Sequence, residues 1–400
     1  NQGSLGFPVI ILAASSGPEG AHMHCNSLAF RCIAAAAMFA LTASQSAFAC
    51  TGIMLKNADG SFVHGRTVEF GIPLAIQYAV VPRGYEFTGL TPLGDGKKWT
   101  SRYGALGAIV FGNLGIMDGV NEKGLAVGAF YFPTMAEYTP TTDQNRSKSM
   151  SSIDFSNWIL TQFASVDEVR AAVEGGEAVV APTLLPGWPQ TVQPFHWIVY
   201  DKSGKSIAIE PIGGKLIVSD NPLGVFTNSP SFDWHMTNLR NYIALQPNNA
   251  KPVTIDGETF KAFGMGAGML GLPGDFTPPS RFVRAAVFST TAIAAPDATA
   301  GIFNGFHVLN NFDIPYGVSR VSEDGKTEAD QTIFTVMRDP QNLRVYFKSY
   351  EDQTIRMVDL NRFDLNAKDV LVLPATSGQT PAVDMSSQFK LMKTADSSEE

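Results

Sequence analysis

Two runs of alternating apolar and polar residues, Thr51–Lys56 and Phe62–Phe70, face each other across Asn57-Ala58-Asp59-Gly60. Period two puts successive side chains on opposite faces of a pleated strand, and the Asp-Gly turn closes the pair as an antiparallel hairpin. A chain carrying this hairpin is committed to a sheet. Leu74–Pro82 and Ala105–Gly112 read as further strands, and Gly115–Gly119 and Leu125–Phe132 flank a second tight turn at Asn121-Glu122-Lys123-Gly124. A three-strand meander follows at Trp197–Asp201, Ser206–Glu210 and Lys215–Val218, and strands at Thr332–Arg338, Leu343–Ser349 and Thr354–Asp359 close the chain.

The helices fall between. Phe155, Trp158, Ile159 and Phe163 share one helical face, and Ser165-Val166-Asp167-Glu168 has capping-box spacing ahead of a helix ending near Gly175-Gly176. Further helices are expected at Phe232–Leu245, Arg281–Ala294 and Ala298–Phe312. Residues 182–194 read as a surface loop. Gly264–Pro279 is a glycine-rich connection without a Walker-type lysine, so phosphate binding is not expected there. With no internal repeat and no linker, antiparallel groups at both ends and helices between them predict one α+β domain over 50–390.

Ala47-Phe48-Ala49 precedes Cys50 and matches an A-x-A signal-peptidase site. Residues 23–49 read as a cleavable signal peptide: a weakly polar start with His24 and Arg31, an apolar run from Cys32 to Leu41, then a small-residue end. The run is too short to span a bilayer. Residues 1–22 read as sequence upstream of a start at Met23, and 391–400 as a disordered polar tail. A periplasmic or secreted protein without stable membrane anchoring is expected. A lipoprotein signal would also put cysteine first, but Phe48 stands where such signals want a small residue.

The three cysteines are Cys25, Cys32 and Cys50. Removal of residues 1–49 leaves one thiol, no internal disulfide, and the formal net charge of −8, because Glu19 and Arg31 cancel. No basic run is present, so nucleic acid is not an expected partner. No His or Cys spacing forms a metal pattern, and neither a metal nor a cofactor is expected. His196 reads as a satisfied strand residue and His235 and His307 as helix-packing residues.

A cysteine at a chain start carries a thiol nucleophile and an α-amine base on one residue. The free thiol has a pKa of about 8.5 and the amine about 7.7–8.0. Cys50 could then pass its thiol proton to its own amine, attack a carbonyl carbon and return the proton to the leaving amine. The alternative is a buried structural cysteine. Arg66, brought back by the hairpin, would favour the thiolate, and Glu69 could hold the protonated amine. Three residues apart on one strand, however, those two side chains point to opposite faces unless a bulge intervenes. From these residues alone, a solvated surface pair is an equal reading.

From Cys50 to about residue 360 the chain resembles the choloylglycine hydrolases, the penicillin V acylases and conjugated bile salt hydrolases among the N-terminal nucleophile hydrolases. The resemblance rests on Cys50-Thr51-Gly52, Gly65-Arg66-Thr67, Asn121-Glu122-Lys123-Gly124-Leu125 and Thr227-Asn228-Ser229-Pro230-Ser231-Phe232-Asp233-Trp234. It continues through Gly271–Phe282 and Gly305–Asn311. It implies a four-layer αββα sandwich of two antiparallel sheets that hydrolyses a linear amide.

By that resemblance Cys50 is nucleophile and base, Arg66 lies beside the sulfur, and Glu69 stands where the family usually has the Asp holding the amine. Asn228 presents a side-chain N–H to the oxyanion and Arg281 supports the network. Tyr131 stands where penicillin V acylases have Tyr and bile salt hydrolases Asn, and its backbone N–H would complete the oxyanion hole; read structurally it is a strand aromatic. The implied reaction releases an apolar acyl group from a small-molecule acyl amide, as in penicillin V or N-acyl homoserine lactones. Conjugated bile salt hydrolysis is the alternative, and a non-catalytic ligand-binding protein on the same fold is the rival from another class. The family pattern also implies a homotetramer.

Overall fold

Strands β1 (Cys50–Lys56) and β2 (Phe62–Glu69) form the expected hairpin, with Cys50 opposite Val68 and Gly52 opposite Arg66. In the computed structural model, residues 49–71, 74–188, 191–323, 326–373, 383 and 385–388 are described. The expectations for 1–22, for all of 23–49 except Ala49, and for 391–400 lie outside them.

The eight-stranded sheet takes its first members from β3 (Gln77–Val81), β4 (Ala105–Ile109), β5 (Ile116–Asn121) and β6 (Ala126–Tyr131). The meander supplies β7 (Phe195–Tyr200), β8 (Ser206–Ile212) and β9 (Lys215–Asp220). Late in the chain come β10 (Thr332–Asp339), β11 (Arg344–Ser349), β12 (Arg356–Asp359) and β13 (Leu371–Leu373). One sheet has the order β1-β2-β10-β11-β12 and the other β9-β8-β7-β6-β5-β4-β3-β13. All their strand pairings are antiparallel.

Helices α1 (Ser152–Gln162) and α2 (Val166–Glu174) cover the outer face of the larger sheet. Helix α3 (Phe232–Asn238) leads from the meander towards α4 (Pro278–Thr291) and α5 (Ala298–Leu309), which cover the smaller sheet. The Ser165 side chain caps α2 by accepting from the Glu168 N–H, as the capping-box spacing requires. The inner faces meet through large side chains: the Arg66 guanidinium lies 3.7 Å from the centre of the Phe130 ring, and His64 stacks on Tyr200. The four layers are therefore helix, sheet, sheet, helix.

Two features position the site. A Cβ at Gly52 would lie 3.0 Å from the Phe130 ring and 3.2 Å from the Tyr200 hydroxyl, so a larger residue here would have to push those two side chains aside. Gly52 also exchanges two backbone hydrogen bonds with Phe226, at 2.7 and 3.1 Å, which lays the chain after the meander alongside β1.

Where the structure departs from the sequence reading, local chemistry accounts for much of it. The helix expected over Phe232–Leu245 stops at Asn238 and tightens into a 3₁₀ turn over Leu239–Tyr242, where asparagines compete with helical hydrogen bonding. The strand expected at Leu74–Pro82 is confined to Gln77–Val81. The hairpins Glu86–Thr91 with Gly94–Thr100, Val253–Ile255 with Glu258–Phe260, and Ser319–Glu323 with Lys326–Asp330 were absent from it. Each is a two-stranded sheet of its own, outside the two large sheets.

Candidate active site

Cys50 opens β1 and is 4% exposed; it is the free cysteine among the described residues. Facing Val68 across the ladder, it shares the inner face with Arg66, two residues back on β2. Its backbone nitrogen donates to Asn228 Oδ1 at 2.8 Å. That nitrogen is here the amide joining Ala49 to Cys50, and it occupies the place of the α-amine that removal of Ala49 would release.

Asn228 is the hub. Its Oδ1 also accepts from Arg281 Nη2 at 2.8 Å, while its Nδ2 donates to the Tyr131 carbonyl at 2.7 Å. One Nδ2 hydrogen so engaged fixes the amide plane and with it the direction of the other. The Tyr131 backbone N–H points to the Cys50 thiol. The Tyr131 N–H is thus a donor at the sulfur, and Asn228, bonded to the Cys50 nitrogen and the Tyr131 carbonyl, stands beside it.

Arg281, fully buried on α4, approaches from the opposite face. Its Nη1 donates to the Cys50 carbonyl and, at 2.9 Å, to Thr51 Oγ1, while Nε donates to Phe276 O at 2.8 Å. Arg66 donates to the Ala129 and Thr67 carbonyls beneath the Phe130 contact. A guanidinium held by carbonyls and an aromatic face keeps its charge without a carboxylate clamped to it.

Glu69 is also fully buried, so the surface-pair reading of Arg66 and Glu69 is corrected: neither side chain reaches solvent. Strand parity holds, with Arg66 on the inner face and Glu69 on the outer one beside Thr332, whose hydroxyl donates to Glu69 Oε1 at 3.1 Å. The bulge lies not between Arg66 and Glu69 but on β10, between Thr332 and Phe334, and it turns Thr332 towards Glu69. The Cys50 nitrogen donates to Asn228, and the Glu69 carboxylate accepts from Thr332.

Burial pushes the Cys50 thiol up; Arg66 opposes this, the Glu69 carboxylate adds to it, and Arg281 and the Tyr131 N–H oppose it. Burial pushes Glu69 up to about 8 against the pull of Arg281, and nearby Asp330 up to about 7. Two carboxyl groups of raised pKa around one arginine were not legible in the sequence, because Asp330 reaches this place only through the late hairpin over Ser319–Asp330.

Tyr131 is half-buried, edge-on to Phe195 with centroids 6.4 Å apart, and burial pushes its phenol up to about 12. Trp188 contacts Phe195, Phe70 and Phe111 edge-on, so an aromatic path runs outward from Tyr131. It ends at a cavity of 280 Å³ lined in part by Tyr85, Phe87, Leu114 and Trp188.

A four-layer sandwich with a cysteine at the head of its first strand is the architecture of an N-terminal nucleophile hydrolase. The chain belongs to the choloylglycine hydrolase family of linear amide C–N hydrolases, whose model matches residues 50–373. It is 32% identical over 323 residues to the bile salt hydrolase/transferase of Clostridium perfringens, covering 80% of this chain and 95% of that protein. A crystal structure of a variant of the conjugated bile acid hydrolase from Clostridium perfringens superposes with a TM-score of 0.73 at 30% identity, covering 83% of this chain and 99% of the other. Similarity to the penicillin V acylase of Pectobacterium atrosepticum is 28% over 284 residues, 67% of this chain and 69% of that one. The protein is an amide hydrolase, and Cys50 is its nucleophile.

Proposed function

We propose that the protein hydrolyses the amide of conjugated bile salts, releasing the steroid acid from its amino-acid conjugate. The observation that carries this is the match to a bile salt hydrolase/transferase along nearly that protein's whole length, against about two thirds for the penicillin V acylase. A second reading, penicillin V acylase activity on a phenoxyacetyl or fatty acyl amide, including acyl homoserine lactones, is favoured by one residue: the half-buried Tyr131 at the position that resemblance connects with acylases.

The geometry supports the following mechanism. Removal of 1–49 turns the Cys50 nitrogen from an amide, which has no basicity, into an amine. That amine takes the thiol proton, and Sγ attacks the substrate carbonyl carbon. The developing oxyanion accepts hydrogen bonds from Asn228 Nδ2 and the Tyr131 N–H. Such preorganised donors are worth about 10²–10³ in rate each. Collapse expels the product amine, which takes the proton, and leaves a thioester on Cys50. Water, deprotonated by the same amine, then releases the acid. Arg66 supports the thiolate from the inner face; Arg281 holds Asn228 and the Cys50 carbonyl; Glu69 supplies a carboxylate to the released ammonium. Leader removal in this scheme also implies a periplasmic or secreted enzyme.

Parallel assays of the chain starting at Cys50 on glycocholate, penicillin V and a long-chain acyl homoserine lactone test the proposal. Glycocholate is expected to give the highest kcat/KM; a higher value for penicillin V would favour the second reading.

A further inference from the structure

Two buried histidines hold the backbone on either side of Asn228. His196 Nε2, on β7, donates to the Thr227 carbonyl at 3.0 Å, and His235 Nε2, on α3, donates to the Asn228 carbonyl at 2.9 Å. Those two carbonyls belong to the peptide planes flanking the Asn228 Cα. Fixing both planes fixes φ and ψ, and so the direction in which the side chain leaves the backbone.

The rings themselves are held. Phe132 stacks on His196 at 4.1 Å and Phe282 on His235 at 4.6 Å, each within 10° of parallel. His196 Nδ1 faces Glu210 Oε1 at 3.2 Å, and both oxygens of Glu210 accept from the Phe232 N–H at the start of α3. Burial pushes His235 down to about 4, so the ring is neutral at neutral pH and its single N–H is the one given to Asn228. The segment 227–232 is therefore tied to β7 at the Thr227 carbonyl, to α3 at the Asn228 carbonyl and to β8 at the Phe232 N–H.

We propose that His235, with His196, is a positioning residue for catalysis, holding Asn228 so that its second Nδ2–H meets the oxyanion. This rests on the oxyanion role of Asn228 given above.

The test is a double-mutant cycle on the chain starting at Cys50, with kcat and KM measured separately. His235→Phe keeps the ring against Phe282 and loses the donor; His235→Gln keeps an amide donor at similar reach. His235→Phe is expected to lower kcat about 10-fold with KM unchanged within about 2-fold, and His235→Gln to recover most of the loss. In an Asn228→Ala background, His235→Phe should change kcat by less than about 2-fold, because the group it positions is gone. Full multiplication of the two effects, or failure of Gln to rescue a folded variant, overturns the proposal. Full activity of Asn228→Ala alone would instead overturn the oxyanion role beneath it.

Discussion

The Cys50 nitrogen and Asn228 Oδ1 lie 2.8 Å apart, 178 residues distant in sequence. One asparagine therefore accepts from the Cys50 nitrogen through its oxygen, and in the proposed mechanism it also donates to the oxyanion through its nitrogen. Asn228→Asp separates these jobs, since it keeps the acceptor and deletes the donor. Its kcat should fall about 10²–10³-fold. Alkylation of Cys50 by iodoacetamide, which forms no oxyanion, should change far less; an equal loss in both would place the role of Asn228 on the thiol instead.

Arg66 is the cation that lowers the Cys50 thiol most against burial. Arg66→Gln should move the pH midpoint of Cys50 alkylation upward and reduce kcat at neutral pH, with the deficit shrinking as pH rises. An unmoved midpoint would show that Arg66 acts by packing on Phe130 alone.

Glu69 gives a pH prediction of fixed sign. Burial raises its carboxyl from an ordinary 4.5 to about 8 while Ala49 remains attached. Between those values the folded chain keeps a proton that the unfolded chain releases, so this group makes stability fall as pH rises from about 4.5 to 8. In the Ala49-retaining chain Glu69→Gln should flatten the decline of Tm across that window. An unchanged slope contradicts a raised Glu69. In the chain starting at Cys50, where the proposed mechanism gives the ammonium a carboxylate at Glu69, Glu69→Gln should lower kcat more than it raises KM.

The Tyr131 backbone N–H is kept whatever the side chain, so substitution there tests specificity with the proposed oxyanion donor retained. Tyr131→Asn should raise the ratio of glycocholate to penicillin V hydrolysis several-fold. An unaltered ratio would make the side chain a strand aromatic with no selective role.

Much of this was legible in the sequence, for stated reasons. The first hairpin announced itself by alternation, and parity alone set Arg66 and Glu69 on opposite faces, which the ladder keeps. What could not be read was what each side chain meets across the fold. His235 reads as a helix-packing residue, and it does pack on Phe282, but its bond to the Asn228 carbonyl depends on how α3 returns over segment 227–232. Thr332 reaches Glu69 only through a bulge on a strand 263 residues away. Period and spacing carry no information about such contacts.

In the proposed mechanism, freeing the Cys50 amine creates the catalyst. Intact mass spectrometry after rapid quench, with glycocholate or penicillin V as substrate, reads it directly in three chains: one starting at Cys50, one retaining Ala49, and a Cys50→Ser form of the first. A hydroxylamine-labile acyl adduct on Cys50 and product release are expected in the first chain only. Turnover by the Ala49-retaining chain at the rate of the first, or by Cys50→Ser undiminished, would contradict it.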